Sequence, residues 1–183
     1  GQVVREGVDL DQPVPHLLQG DGGRVVERTQ GGSGVAHLQY RQSGKRQFEI
    51  PFHDVDTMNV VWHGHYLKYF EIARCKLLEQ FNYNYNQMRA SGYAWPVIES
   101  HVRYVQGIEF EQKIKVRAIL KEWENRLKIE YLILDAETER RLTKGYTTQV
   151  AVNMQTREMC YQSPQILLDC LKAWDQFKEK GND

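Results

Sequence analysis

Apolar and polar positions change their pattern near Gln39 and again near residue 161. Phe48, Ile50 and Phe52 alternate with polar neighbours beyond a turn at Ser43-Gly44, with Tyr40 ahead of it, which predicts a strand of period two. Tyr66, Phe70, Ala73, Leu77 and Phe81 then recur three and four apart, and Leu67, Ile72 and Leu78 widen the arc. That spacing predicts a buried helix of about five turns, apolar over much of its circumference. The polar run from Asn82 to Asn86 ends it; a short helical piece reaches Ala90, and Ser91-Gly92 supplies a stop.

Downstream the period returns to two. Val97, Val102, Tyr104 and Ile108 form one stretch, and Ile114, Val116, Ala118 and Leu120 a second. Leu127, Ile129, Tyr131 and Ile133 form a third, and Leu142, Tyr146, Val150 and Val152 a fourth. Short connections at Gly107, Glu124-Asn125 and Ala136 to Glu139 predict an antiparallel meander, because parallel neighbours need crossovers of a dozen residues or more. Each sheet then has one wet face. Leu132 and Leu134 fall on that exposed side among charges, a candidate contact for another copy of the chain. Pro164 opens a closing helix through Ile166, Leu167, Leu168, Cys170, Leu171 and Trp174. One strand, one long helix and four more strands make an α+β layout in which a curved antiparallel sheet encloses the helix. Residues 1 to 38 hold eight of the fourteen glycines and two of the five prolines without sustained periodicity. They are expected to be a poorly ordered or peripheral extension, with one domain over 39 to 178.

The 183 residues suffice for one domain that buries about two thirds of its extended-chain surface. Lys plus Arg and Asp plus Glu both number 24, so no basic face for nucleic acid or an anionic membrane is expected. Cys75, Cys160 and Cys170 are odd in number and outside any CxxC pattern, which fits reduced thiols better than a disulfide framework. The first thirty residues hold no apolar signal-like run, and nowhere do 18 apolar residues stand together. The expectation is a soluble cytoplasmic protein without a membrane span.

The chemistry concentrates in residues 52 to 74. Asp56 lies seven residues ahead of a helix start at His63, where unpaired N–H groups and the positive end of the helix dipole gather. Such a place can attract a polarised oxygen while an acid works beside it; an acid that merely shapes the turn is the other reading. Asp54 reads as a residue that caps or braces the loop. His53, His63 and His65 beside two acids invite a metal site, but residues two apart on a helix point about 200° apart, so His63 and His65 do not converge there. No metal site is assigned. His63 is either a packed or surface side chain or one that orients Asp56 or water. Glu71 and Arg74 are either a surface pair or a partly buried brace. Tyr69, Tyr83, Tyr85 and Tyr93 are core, interface or pocket groups.

The order strand, Asp-x-Asp, Val-Val-Trp-His-x-x-Tyr, long helix with Phe-Glu-x-Ala-Arg, and then four strands resembles the 4-hydroxybenzoyl-CoA thioesterase family, over roughly residues 46 to 165. The resemblance implies a hotdog fold: a long central helix wrapped by a curved five-stranded antiparallel sheet. It also implies hydrolysis of an acyl-CoA thioester without a cofactor, in a homodimer or homotetramer with the site at the subunit interface. It makes Asp56 the catalytic carboxylate, as nucleophile or general base, and His63 the residue whose backbone N–H polarises the thioester carbonyl. Tyr66 matches the motif tyrosine, and Asn59 and Val61 fall on the substrate side of the motif. Relatives usually carry glycine where Asn59 stands. Lys121-Glu122-Trp123 matches a family segment followed by three basic residues that hold the nucleotide end of CoA, of which only Arg126 is basic here. A hotdog dehydratase and a non-catalytic acyl-thioester binder are the alternatives.

Overall fold

The computed structural model describes residues 46–180, with side chains to Trp174. The chain runs through β1 (Arg46–Glu49), α1 (Tyr66–Gln80), α2 (Tyr85–Ala90), β2 (Tyr93–Ala94), β3 (Val97–Tyr104), β4 (Lys113–Glu122), β5 (Leu127–Asp135), β6 (Arg141–Gln149), β7 (Val152–Asn153) and α3 (Gln165–Lys180). The expected extension over residues 1 to 38, Tyr40 and the Ser43-Gly44 turn lie outside the described residues.

Strict alternation builds the sheet. In β4, Ile114, Val116, Ala118 and Leu120 are buried, and across β5 the same face carries Leu127, Ile129, Tyr131 and Ile133. The five strands are antiparallel in the order β1-β4-β5-β6-β3, and β2 and β7 form a separate ribbon. The expected meander therefore holds only for β4, β5 and β6. β3 pairs with β6, not with its successor β4, because the link at Gly107 is no hairpin. Residues 105–112 cross the sheet end instead, with Ile108 fully buried and its carbonyl accepting from the Val61 N–H at 2.8 Å. Among the described residues, β3 is left with an unpaired outer edge.

Fifteen residues, about four turns and not five, form α1. Tyr66, Tyr69, Phe70, Ala73, Leu77 and Leu78 are buried, and Phe70 stacks on Tyr131 with centroids 4.4 Å apart. A helix of this length is marginal alone; burying each large side chain contributes about 2 kcal/mol and fixes it on the sheet. The apolar arc is narrower than its sequence suggests. Lys68, Glu71, Lys76 and Glu79 line the outer side, and Leu67 is exposed. α3 closes the far end through Leu167, Leu171 and Trp174, whose ring meets Phe81 at 5.7 Å.

Two expectations about the sheet faces are corrected. Leu134 is buried and Leu132 partly so, so they do not form an exposed apolar stripe. In β6 the residues opposite the core face of β5 are Thr143, Gly145, Thr147 and Gln149, so Tyr146 belongs to the other face, while Leu142, at the register shift beside Leu134, is fully buried in the core. Beneath the flank of α1 nearest β3 the sheet is thus lined by small and polar groups. Gly145 leaves room for Phe70: a methyl there would come within 2.7 Å of the ring and 2.3 Å of the His101 carbonyl.

Candidate active site

The loop between β1 and α1 closes a narrow hairpin. Val55 and Val61 bridge its stem, the Asp56 N–H donates to the Val60 carbonyl at 2.9 Å, and the Asn59 N–H donates back to the Asp56 carbonyl at 3.0 Å. One Asp56 carboxylate oxygen accepts from the Met58 N–H at 2.8 Å, which leaves Oδ2 without a partner among the described residues. Asn59 sits at φ 61°, a left-handed conformation that asparagine adopts more readily than most residues. The turn therefore forms with asparagine at this position.

Asp54, two residues earlier, is 1% exposed. Its carboxylate accepts from Tyr69 OH at 2.8 Å and Lys68 Nζ at 2.6 Å. Its carbonyl accepts from the Trp62 N–H at 2.9 Å and from His65 Nδ1 at 3.1 Å. A carbonyl can only accept, so His65 carries a proton on Nδ1. Burial would raise the Asp54 carboxyl, but the hydrogen bonds from Lys68 and Tyr69 outweigh it and hold the group below the usual carboxylate range. Burial and the Asp54 charge push the Tyr69 phenol the other way, well above its ordinary value.

After the hairpin, His63–His65 make one 3-10 turn that leads directly into α1. The His63 and Gly64 N–H groups find no acceptor among the described residues, as expected for the first donors of a helix. Tyr104 OH donates to the His63 carbonyl at 2.9 Å and so ties β3 to this turn. The Trp62 indole lies over Gly64, where a methyl would stand only 2.0 Å from a ring carbon. Tyr66 is buried against Tyr104 at 4.8 Å and lies within reach of the Asp56 charge, which with burial raises its phenol. Phe52, Met58, Trp62, Leu67, Tyr104 and Val105 are exposed large apolar side chains on these same segments.

Of the residues nominated from sequence, the structure thus brings Asp56, Asn59, Val61, His63 and Tyr66 into one neighbourhood. Val61 is buried and contributes wall and backbone. Arg126 stands apart within a single protomer. It follows the far end of β4, about 30 Å of strand from the end that meets the hairpin, and its Nε donates to Glu122 at 2.6 Å. Arg74 is a buried brace: it donates to Glu71 and to Tyr85 OH, while its Nε and Nη1 have no partner among the described residues. Tyr69 and Tyr83 are core groups. Sequence reasoning missed Tyr104 as a site residue. Its hydroxyl partner is 41 residues away, and nothing local marks that contact.

This combination of a helix-wrapping antiparallel sheet and an acid-bearing hairpin before the helix defines a thioesterase-like protein. The sequence profile of the Thioesterase-like superfamily matches residues 50–174, and the chain belongs to that family. It is 24% identical over 79 residues to YneP of Bacillus subtilis, assigned as an acyl-CoA thioesterase, a stretch covering 43% of this chain and 57% of that protein. It is 28% identical over 126 residues to an assigned esterase of Synechocystis, covering 65% of this chain and 72% of the relative. Among solved structures, a DHNA-CoA thioesterase from Staphylococcus aureus superposes with a TM-score of 0.65 at 23% identity, over 76% of this chain and 93% of that one. The hotdog architecture expected from the sequence is thereby established. No helix among the described residues is long and apolar enough to cross a membrane.

Proposed function

We propose that this chain hydrolyses acyl-CoA thioesters to the free acid and CoA, with Asp56 and the His63 N–H as the working groups. The observation that carries this reading is the pairing, on adjoining segments, of an exposed carboxylate with helix-start N–H groups, the second carboxylate oxygen and those N–H groups having no partner among the described residues. The His63 N–H, with Gly64 beside it, donates to the thioester oxygen as negative charge builds. One such donor is worth about 3 kcal/mol of barrier in other hydrolases. Asp56 then either attacks the carbonyl carbon, expelling CoA thiolate and leaving a mixed anhydride for water to open, or takes a proton from the water that attacks. The exposed apolar side chains around the hairpin suit an acyl group.

The working unit is a homodimer or a homotetramer. Among the described residues the outer edge of β3 is unpaired, and its inner-face residues Ser100, Val102 and Tyr104 extend past the cover of α1. A second copy docked on that edge would complete the wall beside Tyr66. Arg126, remote from Asp56 in its own protomer, would meet CoA only in a site built by more than one chain. Free Cys75, Cys160 and Cys170 suit a reducing compartment such as the cytoplasm. The test is release of free thiol from aromatic, short-chain and long-chain acyl-CoAs by purified protein, beside light scattering. Turnover of at least one class by an oligomer is expected; CoA binding without turnover would make the chain a binder instead.

A further inference from the structure

Asp54 is bonded to both halves of the site. Its carbonyl holds Trp62, the residue before the His63 turn, and its chain continues through Val55 into the Asp56 turn. Its carboxylate is pinned to the first turn of α1 through Lys68 and Tyr69, and the Tyr69 ring packs on Phe48 of β1 at 5.1 Å. His65 in the 3-10 turn adds a contact from Nδ1 to the same carboxylate at 3.3 Å, and His53 approaches it at 3.6 Å. A buried charge is retained only where its partners are fixed, so these bonds hold the distance between the hairpin and the helix start.

We infer that Asp54 is a positioning residue of the thioesterase site: it sets the separation between the Asp56 carboxylate and the His63 N–H without touching the substrate. The inference rests on the proposed roles of those two groups. Misplacing reacting groups by about 1 Å costs on the order of 100-fold in rate, while binding of the distant parts of the substrate is untouched. Asp54→Ala should therefore lower kcat about 100-fold and leave KM within about twofold. Asp54→Asn keeps an acceptor for Tyr69 but sets an amide against Lys68, and should fall between. Tyr69→Phe, which removes one hydrogen bond and keeps the ring in the core, should lower kcat in the same sense and guards against a variant that fails to fold.

The decisive readouts are two. In an Asp56→Asn background, Asp54→Ala should add less than about threefold to the loss, because groups that act as a unit are not additive; fully multiplied losses would overturn the inference. Independently of activity, hydrogen–deuterium exchange of peptides across residues 55 to 65 should quicken about tenfold or more in Asp54→Ala, with β4 and β5 unchanged. Unchanged exchange there overturns the inference. Quickened exchange with parental kcat also overturns it, and locates the fault in the assignment of Asp56 and His63, since the clamp itself would have been released.

Discussion

Replacing Gly64 by alanine strikes the contact that shapes the helix start. The new methyl would stand 2.0, 2.5 and 2.7 Å from three carbons of the Trp62 ring, where ordinary contact begins at 3.4 Å, so the indole or the turn must give by more than an ångström. The indole, half exposed, is the softer of the two. Lifting it re-exposes on the order of 100 Å² of aromatic surface, worth about 2.5 kcal/mol. Alanine returns roughly 0.5–1 kcal/mol through its lower backbone entropy cost, for a net loss of about 2 kcal/mol. If the turn yields instead, the His63 N–H moves and kcat falls by about 100-fold. Urea unfolding and free-thiol release measure the two responses separately. Trp62→Ala removes the obstacle, so the double variant should be more stable than the summed single losses by about 1–2 kcal/mol. Parental stability and turnover in Gly64→Ala, or strictly additive losses in the double variant, would refute the reasoning.

Gly145→Ala should destabilise the fold by about 3 kcal/mol, because its methyl meets the His101 carbonyl at 2.3 Å and the Phe70 ring at 2.7 Å at the junction of β3, β6 and α1; an unchanged urea midpoint would contradict this. Asp54 is held below its ordinary pKa by Lys68 and Tyr69, and Asp135 by the Thr138 N–H, the Gln112 amide and the Thr138 hydroxyl. Both contributions are fully present above the unfolded carboxylate value and are lost as pH falls through the lowered native values, because the unfolded chain binds protons first. Stability should therefore decline from about pH 5 to about pH 2, less steeply in Asp54→Asn. Val102→Glu places a charge on the inner face of the β3 edge, and should yield a monomer by light scattering that has lost turnover; an active monomer would sink the shared-site account.

Much of the fold is legible because burial and periodicity coincide. Ile114 to Leu120 and Leu127 to Ile133 alternate without exception, and the core positions of α1 stand three and four apart. Pairing is a different matter. Period two identifies β3 as a strand but carries no information about its neighbour, and only the crossing of residues 105–112, anchored by buried Ile108, sends it to β6. The core phase of β6 is hidden because its inward positions opposite β5 are threonine, glycine and glutamine, Tyr146 lies outward, and Leu142 reaches the core only through a register shift. At the site, the acid at Asp56 and the helix start at His63 are readable from their spacing, while the roles proposed for them come from the family resemblance. Asp54 looks like one more polar loop residue, and its burial depends on Lys68 and Tyr69, fourteen and fifteen residues on.

The most direct measurement is the rate of free CoA release from the best acyl-CoA substrate by the parent and by Asp56→Asn at equal concentration. The amide keeps an oxygen to accept from the Met58 N–H, so the hairpin is expected to stand. The variant can neither attack the thioester nor accept a proton from water, and should lose a factor of about 1,000 or more in kcat, the scale of losing a nucleophile or general base. Turnover by Asp56→Asn equal to the parent's would contradict the account.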